Sequence, residues 1–180
     1  QELFQPRQGR VLLMGSLSGE DFRRAMRLVP SAVTVVTVGG EEPRGITIGS
    51  FVSTSLEPPL VSFNVQRDAR SHELLEAADR YAVNVLADDQ AHLSDHFANP
   101  ELIGAEQWAG IDAAQGEGGV PHLLGALAVL QCVPFARYDA GDHSIFVGEV
   151  VGVTAAAGKS AVLYADRQYR GLGGVIAARR

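Results

Sequence analysis

The feature that most constrains this chain is its spacing of β-branched runs, which follow one another too closely for helices to separate them. "SAVTVVTV" (Ser31–Val38) is followed by "GGEEPRG" (Gly39–Gly45), a glycine-flanked loop, and then by "ITIGSFVSTS". Pro58-Pro59 interrupts the run and "LVSFNV" resumes at Leu60. "YAVNVL" (Tyr81–Leu86), "LAVLQCVPFARY" (Leu127–Tyr138), "HSIFVGEVVGV" (His143–Val153) and "AVLYA" (Ala161–Ala165) add four further strands. Hairpin spacing of this kind is not the strand–helix alternation of a doubly wound sheet. The helical patterns are short: Ser18–Pro30 with Ser18 as N-cap, Ser71–Asp79 with Ser71 as cap, and Asp88–Asn99. Residues 99–125, rich in glycine and turn residues around Trp108, read as a long irregular excursion. The expected architecture is mainly β with short helices. A closed, Greek-key-like antiparallel barrel protects the sheet edges most economically.

At 180 residues the chain fits one domain. Residues 18–174 form it, with an extended N-terminal tail over 1–17 and a short C-terminal tail over 175–180. The net charge of −6 argues against nucleic acid as a partner. The apolar run "VLLM" (Val11–Met14) is too short for a membrane span or a signal sequence. Cys132 is the single cysteine, which excludes an internal disulfide, packs as a small hydrophobe and suits a reducing cytoplasm.

Several binding motifs are absent, including G-x-G-x-x-G, the G-x-x-x-x-G-K-[ST] loop and the G-x-S-x-G elbow. His92 and His96 are spaced four apart, but the acid of H-E-x-x-H is missing, so a solvated helix face is expected rather than a metal site. Three stretches carry more chemistry. "RDARSHELL" (Arg67–Leu75) sets arginines and Ser71 at a helix start, where backbone amides favour a phosphate. "GDH" (Gly141–His143) places a histidine after a tight turn, with Asp142 to orient it or raise its pKa. "RGITIGSFVSTSLEPPL" (Arg44–Leu60) reads as strand, yet hydroxyls interrupt both of its faces. Thr47, Ser50 and Ser53 suit the edge of a flat heterocycle, and Gly45 and Gly49 admit its plane. Phe51, Val52 and Leu56 are expected to pack in the core. Together the three stretches describe a mononucleotide cradle.

These residues resemble the flavin reductase domain family, the reductase partners of two-component flavin-dependent monooxygenases. The resemblance rests on "FRRAMRLVPSAVTVVT", "GITIGSFVSTSLEPPLVSF", "YAVNVLADDQ" with "HFA", and "AGDHSIFVGEV" ahead of "LYADRQYRGL". It implies an FMN-binding split β-barrel, a homodimer with flavin sites near the subunit interface, and hydride transfer from NADH or NADPH to FMN or FAD. The reduced flavin then serves a separate monooxygenase. The resemblance places the isoalloxazine against the strand carrying Thr47, Ile48, Gly49 and Ser50, with Ser53 and nearby backbone completing the contact. Asn64 leads to a phosphate region at Arg70 and Ser71, His143 lies near the nicotinamide, and Tyr169 and Arg170 help to close the site. Ala69 stands where many relatives carry a hydroxyl, and Ile48-Gly49 replaces a small polar pair. The alternative reading on the same barrel is a non-catalytic FMN-binding protein or electron carrier.

Overall fold

The computed structural model describes residues 17–175, so nearly all of the two expected tails lies outside the described residues. The chain opens with helix α1 (Gly19–Met26), β1 (Ser31–Ala32), β2 (Thr34–Val38), β3 (Arg44–Ile48), β4 (Val52–Leu56) and β5 (Pro59–Gln66). Helix α2 (Arg70–Ala77), β6 (Tyr81–Val85), α3 (Ala91–Ala98) and α4 (Gly104–Trp108) follow. Short strands β7 (Ala113–Gln115) and β8 (Pro121–Leu123) precede the long hairpin β9 (Ala128–Ala140) and β10 (His143–Ala155). The chain then forms β11 (Leu163–Ala165) and β12 (Gln168–Arg170).

Seven strands make one antiparallel sheet in the order β3-β2-β6-β9-β10-β5-β4. Its two edge strands, β3 and β4, are consecutive in the chain. The sheet therefore curls until its edges approach, and Ser50, in the link between them, ties that link to β5. The Asn64 amide donates to Ser50 Oγ at 2.9 Å. Bending is eased where β10 slips register against β9, between Val147 and Gly148 and between Val150 and Gly152. Pro134 opposes Gly148 at the first slip, beyond the end of the β6 pairing, where its missing N–H costs no ladder bond on that side.

Inside the curl, Phe63 packs between Tyr81, edge-on at 5.6 Å, and Phe146, stacked at 5.8 Å. Tyr81 Oη is buried without a hydrogen-bond partner among the described residues. It rests where a Cβ on residue 148 would stand, so only glycine admits the phenol there. Cys132 is buried in the same cluster, and burial pushes its thiol up to about 12.

Three expectations change. Val52 and Leu56 are not core residues: they are 54% and 89% exposed, because β4 is an edge strand, and only Phe51 packs against the core. Ser71 is not a cap: the N-cap of α2 is Ala69, two residues earlier than expected, and Ser71 lies inside the first turn. The excursion over 99–125 is shorter in irregular chain than expected, since α4, β7 and β8 occupy part of it.

Candidate functional site

The site grows from the free edge of β3. Backbone groups of successive residues in an antiparallel pair point alternately toward the partner strand and away from it. At Gly45 both outward groups meet one buried side chain. The Gly45 N–H donates to Gln107 Oε1 at 3.0 Å, and Gln107 Nε2 donates to the Gly45 carbonyl at 3.1 Å. Gln107 thus stands in for a strand neighbour at that point. Two residues on, Thr47 presents its backbone amide and carbonyl along the same edge. Its hydroxyl donates to the Ser94 carbonyl at 2.7 Å, which leaves oxygen lone pairs for a ligand. Gly45 itself has a packing reason: a Cβ there would run into the Phe97 ring of α3.

A cavity of about 480 Å³ opens between this edge, the start of α2 and the end of α3, and Arg44, Thr47, Asp68, Arg70, Ser71 and Asn99 are among its lining residues. Arg44 Nη1 donates to the Leu102 carbonyl at 2.8 Å. Its guanidinium is held below the usual range, first by burial and then by the charge of Arg70. Two like charges brought to one wall repel, and an anion between them relieves that repulsion. Ala69 offers the helix no side-chain cap, so the amides of Arg70 and Ser71 have no capping oxygen, while the His72 amide donates to the Ala69 carbonyl at 2.9 Å. Ser71, buried at 6% exposure, lines the same wall.

Thr47 also lines a second cavity of about 340 Å³, with Gly49, Asp95, Tyr164 and Tyr169. Tyr169 reaches it because β12 folds back on β11 through Asp166 and Arg167, both at positive φ (50° and 60°). Its phenol donates to Asp95 Oδ1 at 2.6 Å. Burial, and then that bond, raise the Tyr169 pKa, so the hydroxyl stays protonated as donor.

His143 opens β10 opposite Gln66 of β5, and Gln66 lines the larger cavity. His143 Nδ1 lies 2.7 Å from Asp142 Oδ1. Hydrogen bonding to His143 and the attraction between the two groups hold the Asp142 carboxyl below its usual range. An ionised Asp142 accepts from Nδ1–H and leaves Nε2 for a ligand.

The structure therefore brings Gly45, Thr47, Arg70 and Ser71 to one cavity, and Thr47, Gly49 and Tyr169 to its neighbour. Ser50 and Asn64 are bonded to each other beside them. His143 stands one strand outside the larger cavity. Ile48 turns its side chain into the core, and its carbonyl accepts from Thr34 Oγ1 at 2.9 Å. Ser53, on exposed β4, and Arg170, whose guanidinium donates to Gln168 Oε1 at 2.7 Å, line neither cavity. Arg44 and Gln107 escaped the sequence reading. One looked like hairpin-loop charge, and the other lies 62 residues from the glycine it bridges. His96 is bonded through Nε2 to the Gln107 carbonyl at 2.7 Å. Among the described residues no three His, Cys, Asp or Glu side chains gather as a metal site.

The comparisons agree with this fold. The flavin reductase like domain model matches residues 26–173. An NADH-dependent FAD reductase of Streptomyces globisporus is 42% identical over 150 residues, covering 82% of each chain. The reductase component of a 4-hydroxyphenylacetate 3-monooxygenase from Thermus thermophilus is 40% identical, over 85% of this chain and 96% of that protein. The solved NADH:FAD oxidoreductase SgcE6 of S. globisporus C-1027, in complex with NAD and FAD fragments, superposes with a TM-score of 0.83. It shares 39% identity, over 88% of this chain and 94% of that one. The curled antiparallel sheet is a flavin reductase split barrel. The chain belongs to the flavin reductase like domain family.

Proposed function

We infer that the chain is an NAD(P)H:flavin oxidoreductase that passes a hydride from NADH or NADPH to FMN or FAD and supplies reduced flavin to a separate monooxygenase. The observation that carries this reading is the larger cavity, where two guanidiniums and Ser71 meet at the base of an edge strand with outward amides. That donor set fits a flavin: phosphate between Arg44, Arg70 and the start of α2, and ring edge along Thr47 to Ser50. Bound flavin would supply the hydride acceptor and bound NAD(P)H the donor, so the protein needs no nucleophile or acid of its own. Its work is alignment. Thr47 and Gly49 give the flat ring a place to lie, Tyr169 and Asp95 wall the far side, and His143 steadies the nicotinamide through Nε2.

Finer points belong to the same reading. A homodimer is supported by the exposed apolar side chains of Val52 and Leu56 on the sheet edge. A partner copy there would also cover Ser53. A cytoplasmic location is supported by the lone reduced cysteine. No helix of the described residues is long and apolar enough to cross a membrane.

The test is consumption of NADH by the purified protein with FAD, with FMN and with neither. Oxidation well above the protein-free rate with at least one flavin is expected. Rates equal to the protein-free background with both would favour the non-catalytic carrier.

A further inference from the structure

Behind the site runs a polar chain, buried at its centre, that the reaction does not use directly. His72 on α2 and Ser144 on β10 are both buried, at 6% and 0% exposure, and His72 Nε2 lies 2.9 Å from Ser144 Oγ. Ser144 Oγ donates to Asp139 Oδ1 on β9 at 3.1 Å. With its proton committed there, the serine accepts from His72, which makes Nε2 the donor of that bond. The ring also meets Phe146 edge-on at 5.3 Å. Charged groups close both ends. Arg67 stands 3.8 Å from Asp139, while Glu76 lies 3.9 Å from His72 Nδ1 and binds Arg137 at 2.8 Å.

The position of this chain gives it meaning. His72 follows Ser71 of the phosphate wall directly, and Ser144 follows His143 directly. The bond between them is thus a strut joining the helix that faces the flavin phosphate to the turn that carries the nicotinamide-side histidine. A third tie acts on the same turn, since the Arg67 amide donates to the Asp142 carbonyl at 3.0 Å.

We propose that the His72–Ser144 hydrogen bond is a positioning device that sets where His143 stands relative to the bound flavin. The proposal rests on the flavin reductase reading. His72→Leu removes the donor and keeps the bulk. His72→Gln returns an N–H at nearly the same distance from the backbone. Val129→Ala, in a separate apolar cluster with Ala82, Val120 and Ala126, serves as a control for general destabilisation.

The measurements are kcat/KM for NADH, the dissociation constant for flavin, and hydrogen exchange of the Tyr138–Ser144 hairpin without ligand. His72→Leu is expected to lower kcat/KM about tenfold or more, the scale on which remote misplacement acts. Flavin affinity should stay within about threefold and hairpin exchange should quicken, because β3 and the arginines remain. His72→Gln should restore both kcat/KM and slow exchange, and Val129→Ala should change neither. The proposal is overturned if His72→Leu keeps kcat/KM within about twofold of wild type, if His72→Gln fails to rescue it, if Val129→Ala causes the same loss, or if flavin affinity falls in parallel. A wild-type protein that oxidises no NADH with either flavin sinks the flavin reductase reading instead.

Discussion

His143→Ala is expected to lower NADH turnover about a hundredfold while flavin affinity changes by less than about threefold. The split follows from geometry. The proposed phosphate wall consists of Arg44 on β3 and Arg70 and Ser71 on α2, which line the larger cavity, whereas His143 is not among that cavity's lining residues and pairs with Gln66 at its rim. A hundredfold loss corresponds to about 2.7 kcal/mol of transition-state stabilisation, within reach of a single misplaced partner. Asp142→Asn should reproduce part of the loss, since the ionised Asp142 holds Nδ1–H and aims Nε2. Steady-state kinetics in NADH, beside fluorescence titration of flavin, measure the two quantities separately. Equal loss of both would move His143 out of the nicotinamide role and into flavin binding.

The second large effect concerns the arginine pair. Replacing Arg44 and Arg70 together by glutamine is expected to weaken FMN and FAD about a hundredfold and riboflavin by less than about threefold. Each guanidinium offers forked, charge-assisted bonds to phosphate, and about tenfold apiece allows for a half-open wall. Neither Arg44 nor Arg70 forms an ion pair among the described residues, whereas Arg24, Arg67, Arg80 and Arg137 each do. Asp68 on the same wall opposes the anion, so its replacement by asparagine should strengthen FMN binding modestly. Riboflavin is the decisive ligand. It keeps the ring and loses the phosphate, so a double variant that weakens all three flavins equally would place the phosphate elsewhere.

The strands were legible because β-branched runs and turn residues report local structure, and the hairpin spacing forced antiparallel pairing. β12 was not, since "QYR" has no strand pattern and its turn uses Asp166-Arg167 at positive φ rather than a glycine. Leu56 looked like core because a single chain's pattern does not distinguish an interior face from an exposed edge strand. Thr47, Ser71 and Tyr169 could be singled out from motif resemblance. Arg44 could not: its role depends on Arg70, 26 positions away, and only the curl of the sheet brings them to one wall. Gln107 was hidden for the same reason, as was the pairing of His72 with Ser144 across 72 residues.

Hydride transfer itself is read by an anaerobic single-turnover experiment with protein, equimolar FAD or FMN, and NADH, following the visible band of oxidised flavin. Bleaching is expected with one flavin reduced per NADH, far faster than in the protein-free mixture and slowed by His143→Ala. Flavin that binds in the Arg44–Arg70 cavity yet bleaches no faster than free flavin would mean that the protein binds flavin without reducing it.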